Sequence, residues 1–139
     1  MSHQQFNTDK APKAIGPYSQ ACIFDDRLIF LSGQIGLNPE TGLLVEGTAT
    51  NDETAEIATL KVQAYQTLNN LKAVLEESGS SLNQVVKTTI LLVDMAHFGI
   101  VNKIYEEYFV DNKPARACFA VKQLPRNALI EIEATAYKK

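Results

Sequence analysis

The sequence predicts an α+β fold, with one mixed sheet carrying two helices on one face. Paired strand candidates rich in apolar and β-branched residues stand at both ends of the chain, joined by turn residues. Between them lie two segments whose apolar residues recur at helical spacing. Strands and helices are thus mixed, with hairpins at both ends, which makes α+β the natural class. A length of 139 residues suits a single domain, 1–139.

The first strand candidate is SQACIFDD, Ser19 to Asp26, and the second is LIFLSGQI, Leu28 to Ile35. The DDR between them reads as a hairpin turn. LNPETGLL follows, with Asn-Pro and Thr-Gly as loop signals, and Leu43 to Val45 could form a short extra strand. From Asp52 to Ser78, Leu60, Ala64, Leu68, Leu71 and Leu75 mark one helical face. Asp52 is placed to cap this helix and Gly79 to stop it. QVVKTTILLVD, Gln84 to Asp94, reads as a strand. A second helix runs from about Ala96 to Phe109, with Phe98, Val101, Tyr105 and Tyr108 on its apolar face, and Pro114 blocks its continuation. Arg116 to Gln123 and Ala128 to Tyr137 are the last two strands, joined across LPRN. The predicted order is ββ(β)αβαββ.

Composition narrows the function. The chain is 45% hydrophobic and 21% charged, with a net charge of −3. Its cations are scattered, which disfavours nucleic acid as a partner. No apolar run reaches membrane-spanning length and the N-terminus is polar, so a cytoplasmic protein with no membrane partner is expected. Cys22 and Cys118 suit a reducing compartment, with Cys22 assigned to the core. His3 and His97 combine with neither cysteine at a metal-site spacing, so no metal is expected. His97 is expected on the surface at a helix start.

Strand alternation divides the last strand into two faces. Ile130, Ile132, Ala134 and Ala136 face the helices, whereas Leu129, Glu131, Glu133, Thr135 and Tyr137 face away. The preceding strand is expected to turn Ala117, Phe119 and Val121 to the core, and Arg116, Cys118 and Ala120 toward the glutamates. The open face then mixes charges with small apolar residues, which suits either a solvated surface or contact with further copies of the chain. A hairpin around Pro125 and Arg126 sets Cys118 opposite Glu133, and Arg116 opposite Thr135. Arg116 then stands roughly 13 Å from Glu131, too far to share one small site within a chain.

Five segments in order, GPYSQA, SGQI, KTTILLVDM, PARACFAV and IEIEATA, resemble the RidA/YjgF family of reactive-intermediate (imine) deaminases. The likeness runs from about Phe6 to Lys138. It implies a chorismate-mutase-like fold and a homotrimer whose sheets form a central barrel with intersubunit clefts. It also implies hydrolysis of 2-imino or enamine acids, such as 2-iminobutanoate and 2-iminopropanoate, to 2-oxo acids and ammonia. No metal or organic cofactor is expected.

The resemblance also implies roles at matching positions. Arg116 matches the family arginine that holds the substrate carboxylate, a task for a guanidinium fork; on its residues alone, an ion pair with Glu131 or Glu133 serves equally well. Glu131 matches the family glutamate and would orient and deprotonate water. Glu133 shares its face, and physical argument alone does not separate the two. Tyr18 would close the pocket and donate a hydrogen bond, or simply sit amphipathically at a subunit edge. Ser32 and Gly33 would meet the substrate through a hydroxyl, a backbone N–H and close backbone approach, or merely form a turn. Cys118 would shape the pocket rather than attack, since strand burial raises a thiol pKa. Ala96 stands where many relatives carry asparagine, and the loop VDNK is short. The alternative function on the same trimer is a non-catalytic regulatory or interaction protein that binds small carboxylates.

Overall fold

The computed structural model describes residues 2–139. Six strands form one mixed sheet: β1 (His3–Phe6), β2 (Ala21–Phe24), β3 (Leu28–Gln34), β4 (Val85–Leu92), β5 (Ala115–Ala120) and β6 (Ile130–Tyr137). Two helices, α1 (Ala55–Glu77) and α2 (Phe98–Tyr108), complete the α+β architecture. The sheet order is β1-β2-β3-β6-β4-β5, with only β4 and β5 parallel.

The N-terminal hairpin turns at Asp25 and Asp26, both with φ near +50°, and Arg27 N–H donates to the Phe24 carbonyl. Two successive left-handed residues match the twist of a two-residue hairpin turn, and aspartate tolerates that conformation. The additional strand lies at His3–Phe6 rather than at Leu43 to Val45, where a single bridge joins Leu37 and Leu44. HQQF has no apolar alternation to reveal it; as an edge strand it pairs only with β2.

Helix α1 begins two residues later than expected. Thr54, not Asp52, caps it, accepting from Ile57 N–H. Its end is the predicted one: Gly79 takes φ +92°, Gly79 N–H donates to the Glu76 carbonyl and Ser80 N–H to that of Leu75. Leu60, Ala64, Leu68, Leu71 and Leu75 are completely buried, packed over β3 and β6 and beside α2. Polar residues on the same helix anchor the connecting segments. Asn70 donates to the carbonyls of Ile35 and Leu37, and Gln63 accepts from Leu129 N–H.

The chain's last two strands are not a hairpin. β4, α2 and β5 form a strand–helix–strand unit that returns parallel, so β5 lies on the outer side of β4 and β6 takes the inner side. Nine residues separate Ala120 from Ile130, enough to step over one strand. The turn at Pro125–Asn127 lies within this step. The register expected between Arg116 and Thr135, and between Cys118 and Glu133, is therefore corrected.

Pairing with β4 also reverses the expected faces of β5. Arg116, Cys118 and Ala120 pair with Thr88, Ile90 and Leu92, all buried beneath the helices. Phe119 pairs with Leu91 on the open face and is 50% exposed. In β6 the expected division holds, with Ile130, Ile132, Ala134 and Ala136 buried. Cys22 also faces away from the helices: it is half-buried, between the buried Ala21 and Ile23.

Candidate functional site

The sheet carries two groups of candidate residues, one on each face. On the open side, Tyr18, Ser32, Gly33 and Glu131 line one cleft of about 580 Å³. Ile15, Ile35 and Pro125 supply apolar walls, and Glu133 stands at its border with a neighbouring hollow.

A bulge in β3 builds this cleft. Leu31 pairs with Ala134 and Gln34 with Ile132, so Ser32 and Gly33 together face the single residue Glu133. The extra residue re-aims the strand at the cleft. Gly33 then lies against the Glu131 side chain: a Cβ on Gly33 would stand 2.8 Å from Glu131 Cδ. Glycine here leaves the room that the carboxyl occupies. Burial pushes the Glu131 pKa upward, and the nearby Glu133 carboxylate pushes it further. The two glutamates are thereby distinguished: Glu131 is the half-buried one under Gly33, and Glu133 is exposed.

Ser32 is held from both ends. Its N–H donates to the Gln20 carbonyl at 2.9 Å and its hydroxyl to the Ser19 carbonyl at 2.6 Å. Both donors are committed, so what the hydroxyl can still offer a ligand is acceptor capacity. Tyr18 is the converse. Its oxygen accepts from Ile15 N–H at 3.2 Å, leaving its own proton free to be donated, and the residue is 46% exposed at the rim.

The second group lies on the helix side, at the β5 edge. The Arg116 guanidinium rests 5.0 Å from the ring centre of Tyr105 and 5.6 Å from that of Phe98. Among the described residues it makes no ion pair, so neither Glu131 nor Glu133 neutralises it. Tyr105 is fixed in turn, sharing a 2.8 Å hydrogen bond with Thr88 and stacking on Phe109. These rings form a shelf that holds an unneutralised cation beside a hollow of about 290 Å³. Cys118, two residues along the same face, packs against the core, and burial raises its thiol pKa although Arg116 opposes this.

Arg116 is level with Thr88, and Glu131 with Leu91, three residues along and two strands across. Their Cα atoms are thus roughly 14 Å apart, with side chains on opposite faces. Sequence reasoning also misplaced His97. It is 4% exposed, with Nε2 3.4 Å from Glu56. Ala96 is exposed in the turn before α2, where its N–H donates to Asp94. Two contributors went unrecognised. The Phe98–Tyr105 shelf was legible only as an apolar helix face. Gln20, 1% exposed, sits at a position that alternation turns away from the core, so nothing in the sequence announces its burial.

Known proteins give the same architecture. The family profile described as Endoribonuclease L-PSP matches residues 8–138. A Mus musculus protein named 2-iminobutanoate/2-iminopropanoate deaminase is 48% identical over 94% of this chain and 87% of its own. A RutC family protein of Pyrococcus abyssi is 46% identical over the whole of both chains. Among solved structures, a Rid-family protein of Yersinia pestis superposes with a TM-score of 0.86 at 39% identity, covering 98% of this chain and 99% of its own. Escherichia coli TdcF, solved with bound serine, does so with a TM-score of 0.83 at 32% identity and the same coverages. A sheet of this order under two helices defines the class as a Rid-type α+β protein. The chain belongs to the RidA/YjgF family.

Proposed function

We propose that this protein hydrolyses small 2-imino acids to 2-oxo acids and ammonia, in clefts that form where copies of the chain meet. The observation that carries the reading is the division of the site: an acid–base half at the β3 bulge, and an unpaired arginine on the opposite face. Neither half suffices alone. A trimer whose sheets surround a central barrel would bring Arg116 of one subunit across the cleft from Glu131 of the next, with the substrate between them. The deaminase name of relatives at nearly half identity supports the same reading.

The chemistry follows from the groups available. The substrate is a planar C=N carbon bearing a carboxylate. Arg116 grips the carboxylate through two parallel N–H bonds, and Cys118 beside it limits the space. The Glu131 carboxylate takes a proton from water as the water oxygen bonds to C2, and the C=N electron pair moves to nitrogen. Glu131 then returns the proton to that nitrogen. Glu131 next carries the remaining hydroxyl proton to the amino nitrogen, the C–N bond breaks as the C=O bond forms, and ammonia leaves behind a 2-oxo acid. An upward-shifted carboxyl suits this exchange better than an ordinary one, because its proton affinity lies nearer neutrality. Ser32 accepts from the imine N–H, and Tyr18 donates across the rim.

A second reading is binding without turnover. It is favoured by the TdcF structure, in which a relative holds serine. The family profile's ribonuclease description finds little support in a chain with 13 basic and 16 acidic residues. The deciding experiment generates 2-iminobutanoate with a threonine dehydratase and follows release of 2-oxobutanoate. The proposal expects added protein to accelerate release; no acceleration, with 2-oxobutanoate still bound, would establish the second reading instead.

A further inference from the structure

Residues 7–20 connect β1 to β2, whose ends Phe6 and Ala21 are paired neighbours. A connection of this length between adjacent strands has no ladder of its own and must be fastened by side chains. Gln20 does the fastening. Its Nε2 faces the carbonyls of Pro12 at 2.7 Å, Thr8 at 3.0 Å and Ala11 at 3.4 Å. Its Oε1 accepts from Thr8 N–H at 2.6 Å, and its own N–H donates to Asn7. What remains beyond residue 12 is a short arch that ends at Tyr18. The arch closes on itself, with Ile15 N–H on the Tyr18 hydroxyl and Tyr18 N–H on the Gly16 carbonyl. The Gln20 backbone carbonyl meanwhile takes Ser32 N–H. One buried side chain thus fixes the span that carries Tyr18, and its backbone fixes Ser32.

We propose that Gln20 is a positioning residue that sets the Tyr18 hydroxyl over the cleft. This rests on Tyr18 serving the reaction proposed above. Gln20 touches no substrate and acts through the arch, so its loss affects the group that donates across the rim. Carboxylate binding depends on Arg116 and is left nearly unchanged.

Gln20→Glu is the informative variant, since it keeps the shape but replaces the donor facing three carbonyls with an acceptor. Among those carbonyls the new carboxyl favours its protonated form, which can donate as the amide did. The expected result is faster amide exchange at Thr8 and Ile15, and kcat lower by roughly tenfold near neutral pH with KM within about twofold. The ratio of variant to wild-type kcat should recover as pH falls. In a double-mutant cycle, Gln20→Glu should add little once Tyr18→Phe is present. Released amides with unchanged kcat, or effects that multiply in the cycle, would overturn the proposal. Should Gln20→Glu not fold, Asn7→Ala loosens the same anchor from the exposed side; faster amide exchange, a smaller, pH-independent loss of kcat and the same outcome in the cycle with Tyr18→Phe are expected. A wild-type protein that turns over no imine defeats the deaminase reading alone, and the exchange rates still decide whether Gln20 holds the arch.

Discussion

The Glu131 carboxyl is held half-buried beneath Gly33, with Glu133 nearby, and its pKa is raised by both. The native state therefore binds its proton more tightly than the unfolded chain does. This contribution to stability is most favourable at low pH and declines as pH rises from the unfolded value of 4.5 through the raised native value. Glu131→Gln removes the charge that causes the decline. In a Phe119→Asp background, which separates the subunits, its melting temperature should exceed that of the parent at about pH 8, and the difference should shrink toward about pH 3.5, while in the assembled protein turnover falls by a factor of at least about 100. Thermal scans at the two pH values check this; a variant destabilised equally at both would contradict it. At Arg116 the prediction concerns binding. Arg116→Lys retains the charge but loses the fork and its fit to two rings, so kcat/KM should fall by about tenfold or more, mainly through KM, with the fold intact. Near-normal KM would remove Arg116 from the carboxylate. The sequence was informative about residue types here, but not about which glutamate is buried, because the Ser32–Gly33 bulge that buries Glu131 follows from pairing with β6.

Elements with a strong internal period were legible. The apolar face of α1 and the alternation of β6 are local patterns, and each is buried as its period requires. Helix α1 also ends where a single glycine permits it. Gly79→Ala places a Cβ at φ +92° and should cost about 1 kcal/mol, read as a lower denaturant midpoint at unchanged slope. A midpoint unmoved or raised would show that the helix end tolerates a side chain. The β5 faces were not legible. Six residues at a sheet edge, with a burial pattern that barely alternates, take their orientation from the strand they pair with. That strand is chosen by the return of α2, a long-range decision that no local pattern records. The edge strand β1 was missed for a related reason, since exposed polar residues need no periodicity.

At the scale of the whole molecule, the open face of the sheet presents Phe30 and Phe119, about half exposed, together with Tyr137 and Leu28. Aromatic residues gathered on one sheet face suit contact with other copies of the chain. If the proposed trimer forms through this face, light scattering gives three times the mass of the chain, and Phe119→Asp lowers it. A monomer at micromolar concentration would remove the intersubunit cleft and, with it, the proposed mechanism. The sequence led to an intersubunit site through a hairpin that does not exist. In the folded chain the arginine and the glutamate lie on opposite faces, which supports the proposed intersubunit site by a different route.

Mixing two inactive variants tests that division most directly. Arg116→Ala and Glu131→Gln are each prepared, combined in equal amounts, dissociated and reassembled, and assayed on 2-iminobutanoate. If each site takes its arginine and its glutamate from different chains, random assembly restores about a quarter of wild-type turnover. If both come from one chain, every site in the mixture lacks one of them, and turnover stays at the level of the separate variants.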